Sequence, residues 1–249
     1  MSVINKSTTN HTDWNYKKSR EFYNITGWGN SYFDINKHGE VTVKRGKYTA
    51  DREVPILAII EEVKRLGYST PMVIRFKDII QNRAQRIIKA FADMRKQLDY
   101  TGSYTLIYPV KVNQYKAVVD SVLNLKDSRG LEAGSKPELL AVLSLVHDNK
   151  TPIICNGYKD REYIKTALIA RKLGRNITIV IEKPTEANHV VELVKELDVK
   201  PLLGVRFRLA LILAGKWAHS GARFNQSIKR KSFIRLPTFI TLPPRFTNC

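Results

Sequence analysis

Lys111 closes an apolar, β-branched run that begins at Tyr104, and an amide-rich turn with Asn113 and Gln114 follows it at once. A lysine so placed is either a solvated charge at a strand edge or a positioned amine. As a nucleophile toward a carbonyl it must be neutral, and burial beside Ile107 and Val110 would lower its pKa in the required direction. Two other charges sit on short strand-like stretches: Glu132 in Gly130 to Ala133, and Arg206 in Leu202 to Arg208. On position alone both read as solvated strand charges. Ser135 and Glu138 satisfy a capping box ahead of an apolar run, so a helix start suffices to explain them. His147, His189 and His219 lack any partner constellation. Cys155, within an apolar run, and Cys249, at the terminus, offer neither a disulfide framework nor metal spacing.

The elements that must carry these side chains alternate from Tyr104 onward. Strands are expected at Thr105 to Val112, Gly130 to Ala133, Pro152 to Asn156, Asn176 to Ile181 and Leu202 to Arg208. Helices are expected between them at Lys116 to Leu125, Lys136 to His147, Asp160 to Leu173 and Thr185 to Leu197. Parallel strands need crossovers of that length, so the class is α/β. A (β/α)8 barrel and an open doubly wound sheet satisfy the pattern equally. Upstream, Trp14 to Val43 reads as two short strands about a turn at Lys37 to Gly39. Gly27-Trp-Gly29 lacks the third glycine and following helix of a dinucleotide loop. Val54 to Leu66 has helical spacing with Gly67 as its cap, Pro71 to Phe76 reads as a strand, and Asp78 to Leu98 as a long basic amphipathic helix.

Three stretches of wording then act together. Tyr108 to Gln114 reads Tyr-Pro-Val-Lys-Val-Asn-Gln, Gly130 to Leu140 reads Gly-Leu-Glu-Ala-Gly-Ser-Lys-Pro-Glu-Leu-Leu, and Arg75 to Ile79 reads Arg-Phe-Lys-Asp-Ile. They resemble the biosynthetic arginine decarboxylases, a likeness that runs from Trp14 to Gly221. The resemblance implies a partial (β/α)8 TIM barrel of the alanine-racemase-like type, preceded by an N-terminal β segment. It implies that Lys111 carries pyridoxal 5'-phosphate as a Schiff base, with Glu132 and Arg206 on the cofactor side. The activity implied is conversion of L-arginine to agmatine and carbon dioxide, toward polyamine and spermidine synthesis, in a homo-oligomer. A magnesium requirement is also implied, though the sequence shows no ligand cluster for it. In that family, later barrel strands and a C-terminal β domain supply a ring-stacking histidine, a phosphate loop, substrate-binding acids and a catalytic cysteine. Nothing around Cys249 matches the last of these.

Three segments follow: 1–53, a β-rich segment; 54–221, an incomplete cofactor-binding barrel; and 222–249, a basic tail that does not match. Five barrel strands are legible where closure needs eight. Beyond Gly221 the sequence has no acid and no periodicity, which suggests a frameshift or truncation there and a chain inactive by itself. The formal net charge of +19 raises a competing reading, a non-catalytic basic fragment that binds a polyanion or a partner subunit. Its basic residues are scattered along amphipathic helices, so nucleic acid is not the expected partner. No run reaches the roughly 18 to 20 apolar residues that cross a bilayer, and no signal core opens the chain. The expected compartment is the cytoplasm.

Overall fold

The computed structural model describes residues 14–44, 53–126 and 128–206, together with the backbone of 240–241. The chain divides into two compact units, one ending at Arg83 and the other beginning at Ala84. The family boundary expected at residues 53 and 54 meets the start of a strand in the first of them.

In the first unit, α1 (Tyr16–Phe22) and α2 (Ile25–Trp28) precede an antiparallel sheet of β1 (Phe33–Ile35), β2 (Val41–Lys44) and β3 (Glu53–Pro55). The hairpin read from the sequence is there, with Phe33 opposite Val43 and Ile35 opposite Val41. Helix α1 carries no buried residue, which is why no apolar period announces it; the Asn15 side chain starts it by accepting from the Lys17 and Lys18 amides. Helix α3 (Ile56–Arg65) ends as expected at Gly67, whose φ of 88° suits a glycine and whose amide donates to the Lys64 carbonyl. The strand expected over Pro71 to Phe76 does not form. Among the described residues no strand pairs with that stretch, Val73 is 75% exposed, and β propensity without a partner edge fixes nothing. The long helix α4 (Lys77–Gln97) follows, its first turns in this unit and the rest, from Ala84, in the second.

The second unit is built on β4 (Leu106–Pro109), β5 (Arg129–Ala133), β6 (Ile153–Cys155), β7 (Ile177–Ile181) and β8 (Leu203–Val205), all parallel and hydrogen-bonded in that order. Helices α5 (Lys116–Leu123), α6 (Lys136–Leu145), α7 (Arg161–Lys172) and α8 (Pro184–Leu197) make the crossovers. A doubly wound sheet reverses its strand order at a switch point, whereas this order never reverses. The sheet is therefore a barrel segment. Strand β4 is shorter than the sequence suggests because Pro109 has no amide to donate, and the chain turns there into a single 3-10 turn, Val110–Val112. Beyond β8, the backbone of β9 (Ile240–Thr241) pairs antiparallel with Gly204 and Val205, within the tail where the sequence shows no periodicity. The rest of that tail, Gly215 to Gly221, His219 and Cys249 lie outside the described residues.

Side chains alternate across each strand, and the register sorts them into two faces. Leu131, Ala133, Ile153, Cys155, Ile177 and Ile179 join Leu139, Val142, Ile164, Leu168 and Leu193 of the helices in one core. The opposite face carries Gly130, Glu132, Ile154, Thr178, Val180 and Gly204. Gly130 is required to be small, since a Cβ there would come within 2.6 Å of Ile107 Cδ1 and 2.7 Å of the Pro152 carbonyl.

Candidate functional site

The polar groups of the second unit converge at the carboxyl ends of the parallel strands, where a barrel places its chemistry. Lys111 leaves the turn after β4, Glu132 lies near the end of β5, Asn156 directly follows β6, Glu182 directly follows β7 and Arg206 directly follows β8. Lys111 Nζ donates to Glu132 Oε1 at 3.1 Å, and Asn156 Nδ2 donates to Glu132 Oε2 at 2.9 Å. Each oxygen of Glu132 is thereby committed to a different neighbour. Further along the row, Arg206 Nη1 lies 3.2 Å from Glu182 Oε2, and the Gly157 amide donates to Glu182 Oε1 at 2.6 Å.

Lys111 and Glu132, both singled out from the sequence, are hydrogen-bonded neighbours in the fold. Arg206 stands on the same row but is bonded to Glu182. The burial expected for Lys111 beside Ile107 and Val110 is not found: its side chain is 62% exposed, because the turn after Pro109 carries it past the sheet to the open rim. Only Val110 of that turn faces the core. The turn is anchored by Tyr108, whose hydroxyl donates to the Asn113 carbonyl at 3.1 Å. Burial raises the Tyr108 phenol pKa and the Asn113 bond opposes it, so at neutral pH the hydroxyl remains a donor.

Ser135 caps α6 as expected, accepting from the Glu138 amide at 3.4 Å. The reciprocal bond differs by one residue, since Glu138 Oε2 accepts from the Gly134 amide at 2.8 Å. Both residues thus fix the loop beside Glu132. His147 follows the far end of α6, and His189 lies within α8 with Nδ1 4.0 Å from Glu192. Cys155 points into the core, where burial pushes its thiol up to about 12 despite a bond with Tyr163, so it offers no thiolate at neutral pH.

Asn156, Glu182, Lys159 and Glu186 are the members that sequence reasoning missed. The legible signal is positional: Asn156 and Glu182 are each the first residue past a strand. Glu186 and Lys159 form an ion pair at 3.1 Å with side chains 1% and 0% exposed. Gly157 joins them through a φ of 76° and a close approach, since a Cβ there would run into the Gly134 carbonyl.

The row fits a carbonyl-bearing aromatic cofactor. Lys111 presents an accessible amine, Ile107, Gly130 and Ile154 line the face below it, and the Asn156 Oδ1 acceptor is buried without a partner among the described residues. Magnesium has no comparable fit, because no group of three or more His, Cys, Asp or Glu side chains among the described residues could hold a metal ion. Nor is any helix among them long and apolar enough to cross a membrane.

The model of the family described as pyridoxal-dependent decarboxylase, pyridoxal binding domain, matches residues 84–222, more than half of the chain and starting where the second unit starts. A biosynthetic arginine decarboxylase of Xanthomonas campestris is 47% identical over 212 residues, covering 84% of this chain and 33% of its own length. One of Pseudomonas putida is 44% identical, over 89% of this chain and 34% of its own. The crystal structure of the Campylobacter jejuni biosynthetic arginine decarboxylase superposes with a TM-score of 0.68 at 37% identity, covering 76% of this chain and 32% of that one. The chain thus spans about a third of the length of the curated relatives it matches.

Proposed function

The chain belongs to the pyridoxal-dependent decarboxylases, and from that membership we propose that it forms the cofactor-bearing part of an arginine decarboxylase, with Lys111 as the cofactor lysine. The observation that carries this reading is the Lys111–Glu132–Asn156 chain at the rim of a barrel segment, in a sequence whose relatives are named arginine decarboxylases. The substrate is L-arginine and the products are agmatine and carbon dioxide, which feed polyamine synthesis in the cytoplasm. The working enzyme is a homo-oligomer. Magnesium enters only through the family resemblance, and no step is assigned to it.

Bound at Lys111, pyridoxal 5'-phosphate supplies a conjugated sink for the electron pair left on the substrate α-carbon when its carboxylate departs. The chain's own residues prepare that site. Lys111 Nζ must lose a proton before it can attack, and Glu132 Oε1, 3.1 Å away, is the acceptor in reach. Asn156 keeps Glu132 from turning away, since its amide holds the second oxygen. At the other end of the row Arg206 presents a cation to an anionic part of the ligand, and Glu182 Oε2 holds one end of its guanidinium through Nη1. The Tyr108 bond holds the turn that carries Lys111, so the amine is delivered from a fixed backbone.

Borohydride trapping of added pyridoxal phosphate, read by peptide mass, tests the assignment. The expected product is a single labelled peptide modified at Lys111, absent from Lys111→Ala. Equal labelling of Lys111→Ala, or a label on another lysine, would overturn it. Agmatine release from arginine, measured on the cofactor-loaded protein without borohydride, tests the substrate.

A further inference from the structure

We propose that Glu186, held in a fully buried pair with Lys159, is a positioning residue for the rim: it sets the Glu182 carboxylate against Arg206 by tying together the loops after β6 and β7. The role rests on Lys111 being the cofactor lysine, because only then does the Arg206 end of the row face a ligand.

Glu186 makes more bonds than an ion pair requires. Its Oε1 accepts from the Lys159 amide at 3.0 Å, and its Oε2 accepts from the Glu182 amide at 2.9 Å and pairs with Lys159 Nζ at 3.1 Å. Lys159 Nζ also donates to the Gly157 carbonyl, while the Gly157 amide donates to Glu182 Oε1. The result is a closed loop of bonds: Glu186 to the Glu182 backbone, Glu182 carboxylate to the Gly157 backbone, Gly157 carbonyl to Lys159, and Lys159 back to Glu186. Only Glu182 Oε2 projects from this loop, and Arg206 takes it. Balancing a buried lysine would need one carboxylate oxygen in contact, and desolvating two charges is costly compared with packing apolar groups there. A carboxylate that also collects two backbone amides from two loops is placed to define where those loops stand.

The site side chains that matter lie downstream of this hub. A Glu186→Gln change keeps the volume but replaces one acceptor oxygen with a donor, so one of the two amides, Lys159 or Glu182, loses its partner. The Glu182 carboxylate then loosens, and with it the orientation of Arg206. Loss of charge balance alone would act differently, by destabilising the unit as a whole.

The test combines amide exchange with a double-mutant cycle. Without cofactor, the Gly157 and Glu182 amides should exchange about tenfold faster or more in Glu186→Gln than in the wild-type chain, while amides of β5 stay protected. Unchanged exchange at both amides would overturn the role. With pyridoxal phosphate, Kd read from the change in cofactor absorbance should weaken about tenfold in Glu186→Gln and similarly in Arg206→Ala, with the double variant no weaker than the worse single. Multiplying effects would mean that Glu186 does not act through Arg206. Should Glu186→Gln fail to fold, Lys159→Met combined with Glu186→Gln removes both charges at similar volume. Recovered folding with fast exchange at the Glu182 amide, which bonds Glu186 and not Lys159, supports positioning; recovered protection there shows that Glu186 only balanced a charge. Absence of any label at Lys111 in the wild type would instead defeat the cofactor assignment, and the exchange data would still decide the role of Glu186.

Discussion

Asn156 holds Glu132 through a single bond from Nδ2, and that dependence can be inverted by one substitution. Asn156→Asp keeps the size but sets a second carboxylate about 3 Å from Glu132, and two carboxylates that close cannot both ionise without cost. One of the two must take up a proton at a raised pKa, so the fold is expected to be penalised at pH 7 and relieved as the pH falls toward 5. The expected outcome is a melting temperature below that of the wild type at pH 7, with the gap narrowing at pH 5; a gap independent of pH would show that the two carboxylates are apart. Lys111 was legible in the sequence because it ends a long, specific stretch of wording, and Glu132 because it stands in another. Asn156 and Glu182 were not, since the partners that give them meaning lie 24 residues away in each case. A strand-end position is visible in sequence, but the neighbour across the sheet is fixed only by register.

At the level of elements, the parallel strands were readable because each is a short apolar run closed by turn residues, and their alternation with helices demanded crossovers. What the sequence left open, barrel or doubly wound sheet, depends on strand order, and order is a property of pairings rather than of any single strand. The errors have the same root. Pro71 to Phe76 has strand composition without a strand to pair with, and α1 forms from a local cap without an apolar face. In the first unit the hairpin of β1 and β2 depends on Asp34, which lies 2.7 Å from Arg20 Nε and 2.8 Å from Lys44 Nζ. Burial alone would raise the Asp34 carboxyl, but the Lys44 and Ile35 bonds and the two nearby cations together carry it below the usual carboxylate range. The hydrogen bond to Asp34 in turn raises Lys44 against the opposing effect of burial. A depressed carboxylate pKa stabilises the fold above its unfolded value and loses that contribution as pH falls through the folded one; a raised lysine contributes below its unfolded value and loses it as pH rises through the folded one. The pair therefore supports the hairpin between those two limits. Asp34→Asn should cost roughly 1–3 kcal/mol at pH 7, discounted toward the lower end because Arg20 and Lys44 are partly exposed. Thermal melts should show the variant and the wild type converging in acid; parallel curves from pH 7 down to pH 2 would remove Asp34 from the account.

For the whole molecule, the formal net charge of +19 sets up a contest between two ways of holding an anion. A diffuse positive field attracts any polyanion and weakens steeply with salt, because binding releases counterions. A site with paired, oriented charges selects by geometry and is less easily screened. The cations of the rim belong to the second kind: Lys111 is paired with Glu132, Lys159 with Glu186 and Arg206 with Glu182, so each is locally compensated. The excess charge must act from elsewhere on the chain, and the two behaviours should separate in one experiment. Retention on immobilised DNA at low salt should fall steeply as salt rises from about 50 to 200 mM, and it should be the same for the wild type and for Lys111→Ala. Pyridoxal phosphate labelling over the same salt range should change little in the wild type and be absent from Lys111→Ala. Loss of both properties together in Lys111→Ala would place the polyanion surface at the rim and make the basic-fragment reading the stronger one. Their separation would mean that the charge sets how the protein associates in solution, while the strand ends determine which ligand it keeps.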